Sequence, residues 1–383
     1  MLGMDASLVI LIAISQWITL FSTRYKIPGI PVYVVLGALY ASILSSDQVS
    51  TPILSLALLF LFFYAGINVD LDSVRRRLKE ALTLTLINVS LTVILVSLLL
   101  VSLGVELLPS LIVGVGLANT ATEVAVVMLQ EAGIDLLAIR NLVIAASFMD
   151  DLLLVFLVAL VQSAVFKAPA TVCVGTVFFN TAFLTVPFIV SYASFKIVSR
   201  VSWNEFVIFT SALMFTLSFL SYWVGISEYL GAYVAGLSLS LIKLRRDPTL
   251  AYSTKLSSLL EHLTTYMRFF VYPVYFVIIG TMLSITSFIN ATTLLLLLTA
   301  FSGKFLSFIT YILSLNKLGV SESILGGLIM NSRGSIESAL VLTAYLSGLL
   351  DVGLFQGVVA VMVLSSIIVP FMIRVVIIRK SVY

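Results

Sequence analysis

Residues 146–155 read ASFMDDLLLV. Asp150 and Asp151 stand side by side in an apolar run, with no basic residue nearby. The chain around them is oily throughout. Hydrophobic residues make up 61% and charged residues 10%, with a mean hydropathy of +1.18. An ordinary soluble protein carries roughly 25% charged residues, so water is not the solvent for most of this surface. Apolar runs of about 20 residues recur along the chain, each long enough to cross about 30 Å of hydrocarbon as a helix. The sequence therefore predicts an all-α polytopic membrane protein, with the two acids inside the membrane.

Polar, Gly and Pro punctuation predicts thirteen spans, near 5–23, 31–46, 52–69, 80–103, 109–132, 138–165, 171–195, 204–224, 227–242, 269–287, 291–314, 321–349 and 352–373. Alternating the loops between two sides segregates the basic residues. One side collects Arg24, Lys26, the Arg75–Lys79 run, Arg140, Lys196, Arg200, the Lys243–Arg246 run, Lys255, Arg268, Lys317, Arg374, Arg379 and Lys380. The other holds Lys167, and Lys304 and Arg333 lie within spans. Cytoplasmic loops concentrate Lys and Arg, which predicts the N-terminus outside and the C-terminus in the cytoplasm. The opening MLGMDASLVILIAISQWITLF lacks a basic n-region and a cleavage site and reads as a retained first span. Cys173, the single cysteine, rules out an internal disulfide and reads as a packing residue. Residues 244–268 are too polar to cross. Leu256, Leu259, Leu260 and Leu263 share one helical face there, predicting a helix along the cytoplasmic surface. His262, the only histidine, lies in it with no second His or Cys to make a metal site. The Arg75–Arg77 run reads as a topogenic, lipid-facing charge cluster rather than a nucleic-acid site.

The spans repeat. FLFFYAGINVDLDS ends the third span and PVYFVIIGTMLSITS the tenth, and VYVVLGALYAS and YLGAYVAGLSLS occupy the second and ninth. Setting Asn119 over Asn331 brings LANTATE onto IMNSRGS. Spans one to six thus recur as eight to thirteen, with the seventh as linker. A shift by an odd number of spans inverts the second copy. Inverted repeats with helices broken at the midplane are a secondary-transporter architecture.

Six charged side chains fall inside spans: Glu123, Asp150, Asp151, Lys304, Arg333 and Glu337. Each Asp, Lys or Arg at a helix centre costs roughly 2.5–3.5 kcal/mol on insertion scales. Acids outnumber bases, so the excess must be neutralised by protons or by cations from water, which outlines a site that exchanges the two. Successive residues on a helix diverge by about 100°. One division pairs Asp150 with Lys304, in FSGKFLS, and turns Asp151 into a water-filled cavity. The competing reading is an ion-pair cluster that only locks helices together.

Spans five and twelve read as interrupted. GVGLANTATEVAV places Asn119, Thr120, Thr122 and Glu123 at mid-depth, and GGLIMNSRGSIESALV places Asn331, Ser332, Arg333, Gly334 and Ser335 there. Such residues lower helix propensity and offer the backbone other hydrogen bonds. Non-helical backbone at membrane depth survives only where buried or lining a cavity, and freed carbonyls and hydroxyls suit a hard monovalent cation. Helix packing by Ser and Thr is the alternative for each residue alone.

Over essentially its whole length the chain resembles the monovalent cation:proton antiporter superfamily. The resemblance rests on RYKIPGIPVYVVLGAL, LLFLFFYAGINVDLDSVRR, ANTATEVAVVMLQEAG, AASFMDDLLLVFLVAL, YLGAYVAGLSLS, FFVYPVYFVIIG and NSRGSIESALV, in the family's order. The Asp-Asp pair resembles the electrogenic branch. The resemblance implies that Asp151 binds the transported Na⁺ or proton, that Asp150 pairs with Lys304, and that spans five and twelve are the crossed, broken helices. It also implies scaffold and dimerisation helices in 1–78 and 202–288, a mobile transport core in 79–165 and 289–383, a linker in 166–201, and a homodimer. Two departures stand out. Relatives carry Pro-Arg-Gly-Glu where this chain has Ser332-Arg333-Gly334-Ser335, with Glu337 two residues on. Glu123 stands where many Asp-Asp members have a small polar residue, as an extra ligand or a partner for Arg333. Both bear on ion selectivity.

The resulting expectation is electrogenic exchange of Na⁺ or Li⁺ for protons in the cell membrane, needing no cofactor and involving no nucleic acid. K⁺/H⁺ exchange or K⁺ efflux is the alternative. Many K⁺-efflux members carry a cytoplasmic nucleotide-binding domain after the last helix, where this chain ends in RVVIIRKSVY. Sodium-coupled symport of an organic anion would need a spare basic residue, for which Arg333 is the candidate. One His, one Cys and no cofactor motif argue against an enzyme.

Overall fold

The computed structural model describes residues 6–25, 29–44, 51–69, 71–121, 141–154, 183, 185–198, 201–224, 227–242, 251–315 and 320–381. Thr122, Glu123, Lys167 and Cys173 lie outside them. Among the described residues the regular structure is helical, as expected where hydrocarbon leaves backbone groups no partner but their own chain. The helices are α1 (Ala6–Tyr25), α2 (Gly29–Leu44), α3 (Thr51–Ile67), α4 (Leu71–Ser102), α5 (Leu107–Ala118), α6 (141–154), α7 (Val186–Val198), α8 (Trp203–Trp223), α9 (Glu228–Ile242), α10 (Ala251–Tyr266), α11 (Tyr272–Thr281), α12 (Ala291–Leu315), α13 (Val320–Met330), α14 (Ser335–Leu346) and α15 (Val352–Ser381). Among the described residues five stretches are long and apolar enough to cross a membrane: Val74–Ser102, Trp203–Trp223, Tyr252–Thr281, Ala291–Ile312 and Val352–Ile373. Several shorter apolar helices accompany them, α5 and α14 included.

Two compact units divide the chain. The first holds Met1–Ser50, Ser73–Leu154 and Tyr272–Tyr383, and the second Thr51–Asp72 and Val155–Val271. In the second, α9 packs along α3, α8 and α7. A Cβ on Gly66 would strike the Tyr233 carbonyl, and one on Gly236 would sit 2.6 Å from the Ile67 nitrogen. In the first, α2 packs along α11, and a Cβ on Gly37 would lie 2.8 Å from the Gly280 Cα and strike the Val277 carbonyl. The repeat aligns the second span with the ninth and the third with the tenth. By that alignment each of these glycine crossings is the other's counterpart with partners exchanged.

The glycines allow backbone-to-backbone approach, so side chains there overpack. Gly37→Val is expected to cost about 1–3 kcal/mol, the usual range for added core methylenes. Gly357→Ala, whose nearest contact is Thr293 Oγ1 at 3.4 Å, should be nearly neutral. Thermal midpoints of the two purified variants check this.

Two local features differ from the expected span limits, and a third carries the interruption expected of the twelfth span. First, α4 begins at Leu71, so the Arg75–Arg77 run lies on the helix, bent at Arg77 (φ −124°, ψ 23°) beside an Arg77–Glu80 ion pair of 2.8 Å. Second, the polar 251–266 helix runs on into α11 through a π-helical segment, Met267–Val271, rather than a loop. Pro273 has no N–H to offer the carbonyl four residues back, and the helical ladder widens there. Leu256 and Leu259 are buried, as the apolar face of that helix predicts. His262 is exposed, its Nδ1 2.7 Å from the Ser258 carbonyl and its ring 5.7 Å from that of Trp203. Third, the expected twelfth span is two helices, α13 and α14, with residues 331–334 between them.

Two turns aim the broken segments. After α4, Gly104 takes φ +87°, and Val105 and Gly104 donate to the carbonyls of Leu100 and Val101, each at 3.0 Å. After α14, Gly348 takes φ +73°, and Leu349 and Gly348 donate to Ala344 and Tyr345, each at 2.9 Å. Both are glycine-terminated Schellman ends, which need the left-handed conformation that glycine adopts without a Cβ clash.

Candidate cation site at two crossed helix breaks

A broken helix leaves unpaired carbonyls at the end of one half and unpaired N–H groups at the start of the next. The ends also carry partial charge, negative at the C-terminus and positive at the N-terminus. Here α5 stops at Ala118, with Asn119 extended (φ −67°, ψ 153°), and α13 stops at Met330 before α14 starts at Ser335. The two interruptions touch. The Ala121 N–H donates to the Ser332 carbonyl at 3.0 Å, and Ser332 Oγ returns a bond to the Ala121 carbonyl at 3.3 Å. Gly334 permits the contact, since a Cβ there would sit 2.7 Å from the Ala121 Cβ.

The intramembrane charges distribute by the sign of these helix ends. Lys304, on α12, donates to the carbonyls of Asn119 and Met330, the latter at 2.7 Å, and to Thr120 Oγ1 at 3.1 Å. Arg333 donates to the Leu117 carbonyl and to Ser365 Oγ at 3.2 Å. Both cations thus sit at C-terminal helix ends. Glu337 lies in the first turn of α14, where its Oε1 accepts the Gly334 N–H.

The acids are met by neutral donors. Asp150 Oδ2 accepts from Thr120 Oγ1 at 2.9 Å and from Asn88 Nδ2 at 3.2 Å. Asn119 Nδ2 donates to Asp151 Oδ1 and to Glu337 Oε2, each at 3.2 Å. Successive residues of the α5 break therefore reach successive acids of α6. Asp150, Asp151, Lys304, Arg333 and Glu337 are all at most 4% exposed. Four polar atoms at the crossing are buried without a hydrogen-bond partner: Asn119 Oδ1, Asp150 Oδ1, Asn331 Oδ1 and Arg333 Nη2.

Several sequence expectations take a different form here. Lys304 was expected against the Asp150 carboxylate; instead the Thr120 hydroxyl stands between them, accepting from one and donating to the other. The ammonium goes to carbonyls because the breaks expose a cluster of acceptors at the negative ends of two helices. Asp151 was expected to face a water-filled cavity and is 4% exposed, held by Asn119. Asn331, the repeat counterpart of Asn119, instead donates back to the Gly327 carbonyl of its own helix at 2.9 Å. Ser335 accepts from Ser338 Oγ through its carbonyl at 2.6 Å. Thr122 and Glu123 lie outside the described residues, and with them the expected Glu123–Arg333 contact.

Asn88 was missed. It donates to the last carbonyl of α5, Ala118, at 2.9 Å, just as Lys304 donates to the last carbonyl of α13. A lone amide in the apolar fourth span, NVSLTVILV, was the available signal, and the repeat makes that span the counterpart of the one bearing Lys304.

A family model described as sodium/hydrogen exchanger, transmembrane, matches residues 8–379. The chain belongs to the sodium/hydrogen exchanger family. It is 21% identical over 374 residues to "Probable Na(+)/H(+) antiporter 3" of Methanocaldococcus jannaschii, covering 93% of this chain and 92% of that one. It is 23% identical over 336 residues to a Na(+)/H(+) antiporter of Enterococcus hirae, with 83% and 82% covered. The fold matches the structure of the sodium proton antiporter MjNhaP1 from M. jannaschii with a TM-score of 0.72 at 16% identity, covering 96% of this chain and 94% of that one. The sequence resemblance to cation:proton antiporters therefore holds. This exchanger is an integral membrane protein of a transporter family rather than an enzyme family.

Proposed function

We propose that this protein exchanges Na⁺, and Li⁺, for protons by alternating access in the cell membrane, with Asp151 as the shared seat of cation and proton. The observation carrying this reading is the placement of Asp151. It is buried, and it adjoins both broken helices through Asn119, which also donates to Glu337. A carboxylate at membrane depth is costly unless neutralised, so the site crosses carrying a proton or a cation. The breaks supply what a hard cation needs, oxygen donors from carbonyls and hydroxyls. Asp150, held by Thr120 and Asn88, provides a second acid. When it releases its proton as Na⁺ engages Asp151, more than one proton returns per Na⁺ and the exchange moves charge.

The same reading places the N-terminus outside and the C-terminus in the cytoplasm, in accord with the basic loops. It assigns 79–165 and 289–383 to the moving core and 1–78 and 202–288 to the scaffold of a homodimer, with 166–201 linking them. The crossing's hydrogen bonds, which tie α4, α5, α6, α12 and α14 together, support motion of those helices as one body.

The test is purified protein in liposomes under an imposed pH gradient, with the potential clamped or free. Added Na⁺ or Li⁺ should move protons, faster when the potential is clamped than when it is free to build up against the charge moved, and K⁺ should not. A response to K⁺ alone would make the protein a potassium exchanger, and a rate indifferent to potential would make the exchange electroneutral.

A further inference from the structure

We propose that Glu337 is a second carboxylate ligand of the transported cation, joined to Asp151 through the side chain of Asn119. This rests on the reading of Asp151 as the cation seat. Glu337 and Asp151 come from helices far apart in sequence, yet a single amide nitrogen spans them. Asn119 Nδ2 lies 3.2 Å from Asp151 Oδ1 and 3.2 Å from Glu337 Oε2, so the two carboxylate oxygens are no further apart than twice that distance. An amide has two N–H bonds, and in this state each meets one acid.

The other end of that amide points to a ligand. Asn119 Oδ1 has no hydrogen-bond partner, and Asn119 is 2% exposed. Buried amide oxygens are ordinarily satisfied. A half-turn of the amide would carry Oδ1 to where Nδ2 now meets both acids. The amide then ceases to donate and becomes a third oxygen between two carboxylates, a donor set suited to a hard monovalent cation. Without the cation, the N–H groups hold the acids in register; with it, the oxygen replaces them.

Charge points the same way. Among the described residues the crossing buries three acids, Asp150, Asp151 and Glu337, against two bases, Lys304 and Arg333. This excess of acid favours a bound cation, and removing the Glu337 charge would weaken that demand. The alternative role for Glu337 is to cap α14 through the Gly334 N–H. Glutamine retains an oxygen for that cap while losing the charge, so Glu337→Gln separates the two.

The experiment measures Na⁺-driven proton transport against Na⁺ concentration in liposomes, and the Na⁺-induced shift in thermal midpoint, for wild type, Glu337→Gln, Glu337→Asp and Asp151→Asn. Glu337→Gln should raise the half-saturating Na⁺ concentration about tenfold or more, as loss of metal-site residues commonly does, and shrink the Na⁺-induced shift. Its midpoint without Na⁺ should stay near wild type. Glu337→Asp keeps the charge but moves it by one methylene, and should alter the ratio of Na⁺ to Li⁺ half-saturation. Wild-type Na⁺ dependence in Glu337→Gln, with Asp151→Asn inactive, would overturn the role of Glu337 and leave the Asp151 seat standing. If Glu337→Gln did not fold, an unchanged Na⁺ to Li⁺ ratio in Glu337→Asp would overturn it equally. Wild-type transport by Asp151→Asn would instead remove the seat itself.

Discussion

Asp151→Asn is expected to reduce Na⁺-driven proton movement to the level of protein-free liposomes, in protein that still folds and inserts. The substitution is nearly isosteric and keeps an oxygen for the Asn119 N–H, which now donates to Asp151 Oδ1 at 3.2 Å. What it removes is the one feature an exchanger cannot replace, a negative charge that either a proton or a cation can neutralise. A second readout does not depend on transport. A ligand that binds only the folded state at 100 times its dissociation constant stabilises by about 2.7 kcal/mol, and that Na⁺-dependent gain should vanish in the variant. An unaltered thermal response to Na⁺ in Asp151→Asn would move the seat to Asp150 or Glu337. Normal folding with neither transport nor Na⁺ response is the expected result.

Lys304→Gln should have the largest effect on stability and the clearest effect on electrical behaviour. The ammonium is fully buried and donates to two carbonyls and a hydroxyl where α5 and α13 end. Glutamine can make at most two of these three bonds and brings no charge. Truncating one member of a buried charge cluster costs about 3–5 kcal/mol, because the opposite charges are left uncompensated. The described cluster would then hold three acids against Arg333 alone. Added Na⁺ should consequently raise the thermal midpoint of Lys304→Gln more than that of wild type. In transport, the potential dependence should change more than the half-saturating Na⁺ concentration. If transport by Lys304→Gln depended on membrane potential as wild type does, the lysine would not take part in charge coupling, and its role would be to cap the two helix ends.

Much of this molecule is legible without coordinates. The Asp150–Asp151 doublet, the apolar spans and the polar interruptions at Asn119 and Ser332 are local signals. They follow from the length of hydrocarbon a helix must cross, the cost of a charge there, and the hydrogen bonds that amides and hydroxyls offer a backbone. The glycines in the segments that align as a repeat mark places where backbones cross, and Gly37, Gly66, Gly236 and Gly280 meet in matched pairs.

Partner choice was not legible. Counting charges predicted that Lys304 would seek the Asp150 carboxylate, whereas it donates to the carbonyls of Asn119 and Met330, and Arg333 likewise spends a donor on the Leu117 carbonyl. A carbonyl freed by a helix break is an acceptor that every residue type supplies, so no letter in the sequence marks it. The two asparagines of the repeat make the same point. Asn119 and Asn331 are equivalent by alignment, but α6 brings Asp151 to the first, and the second folds back on Gly327. Hydropathy and period act along the chain, and they determined the membrane, the helical class and the buried acids. Hydrogen bonds act across it, and only the crossing of two broken helices decided which amide and hydroxyl each acid meets and which carbonyls take the ammonium.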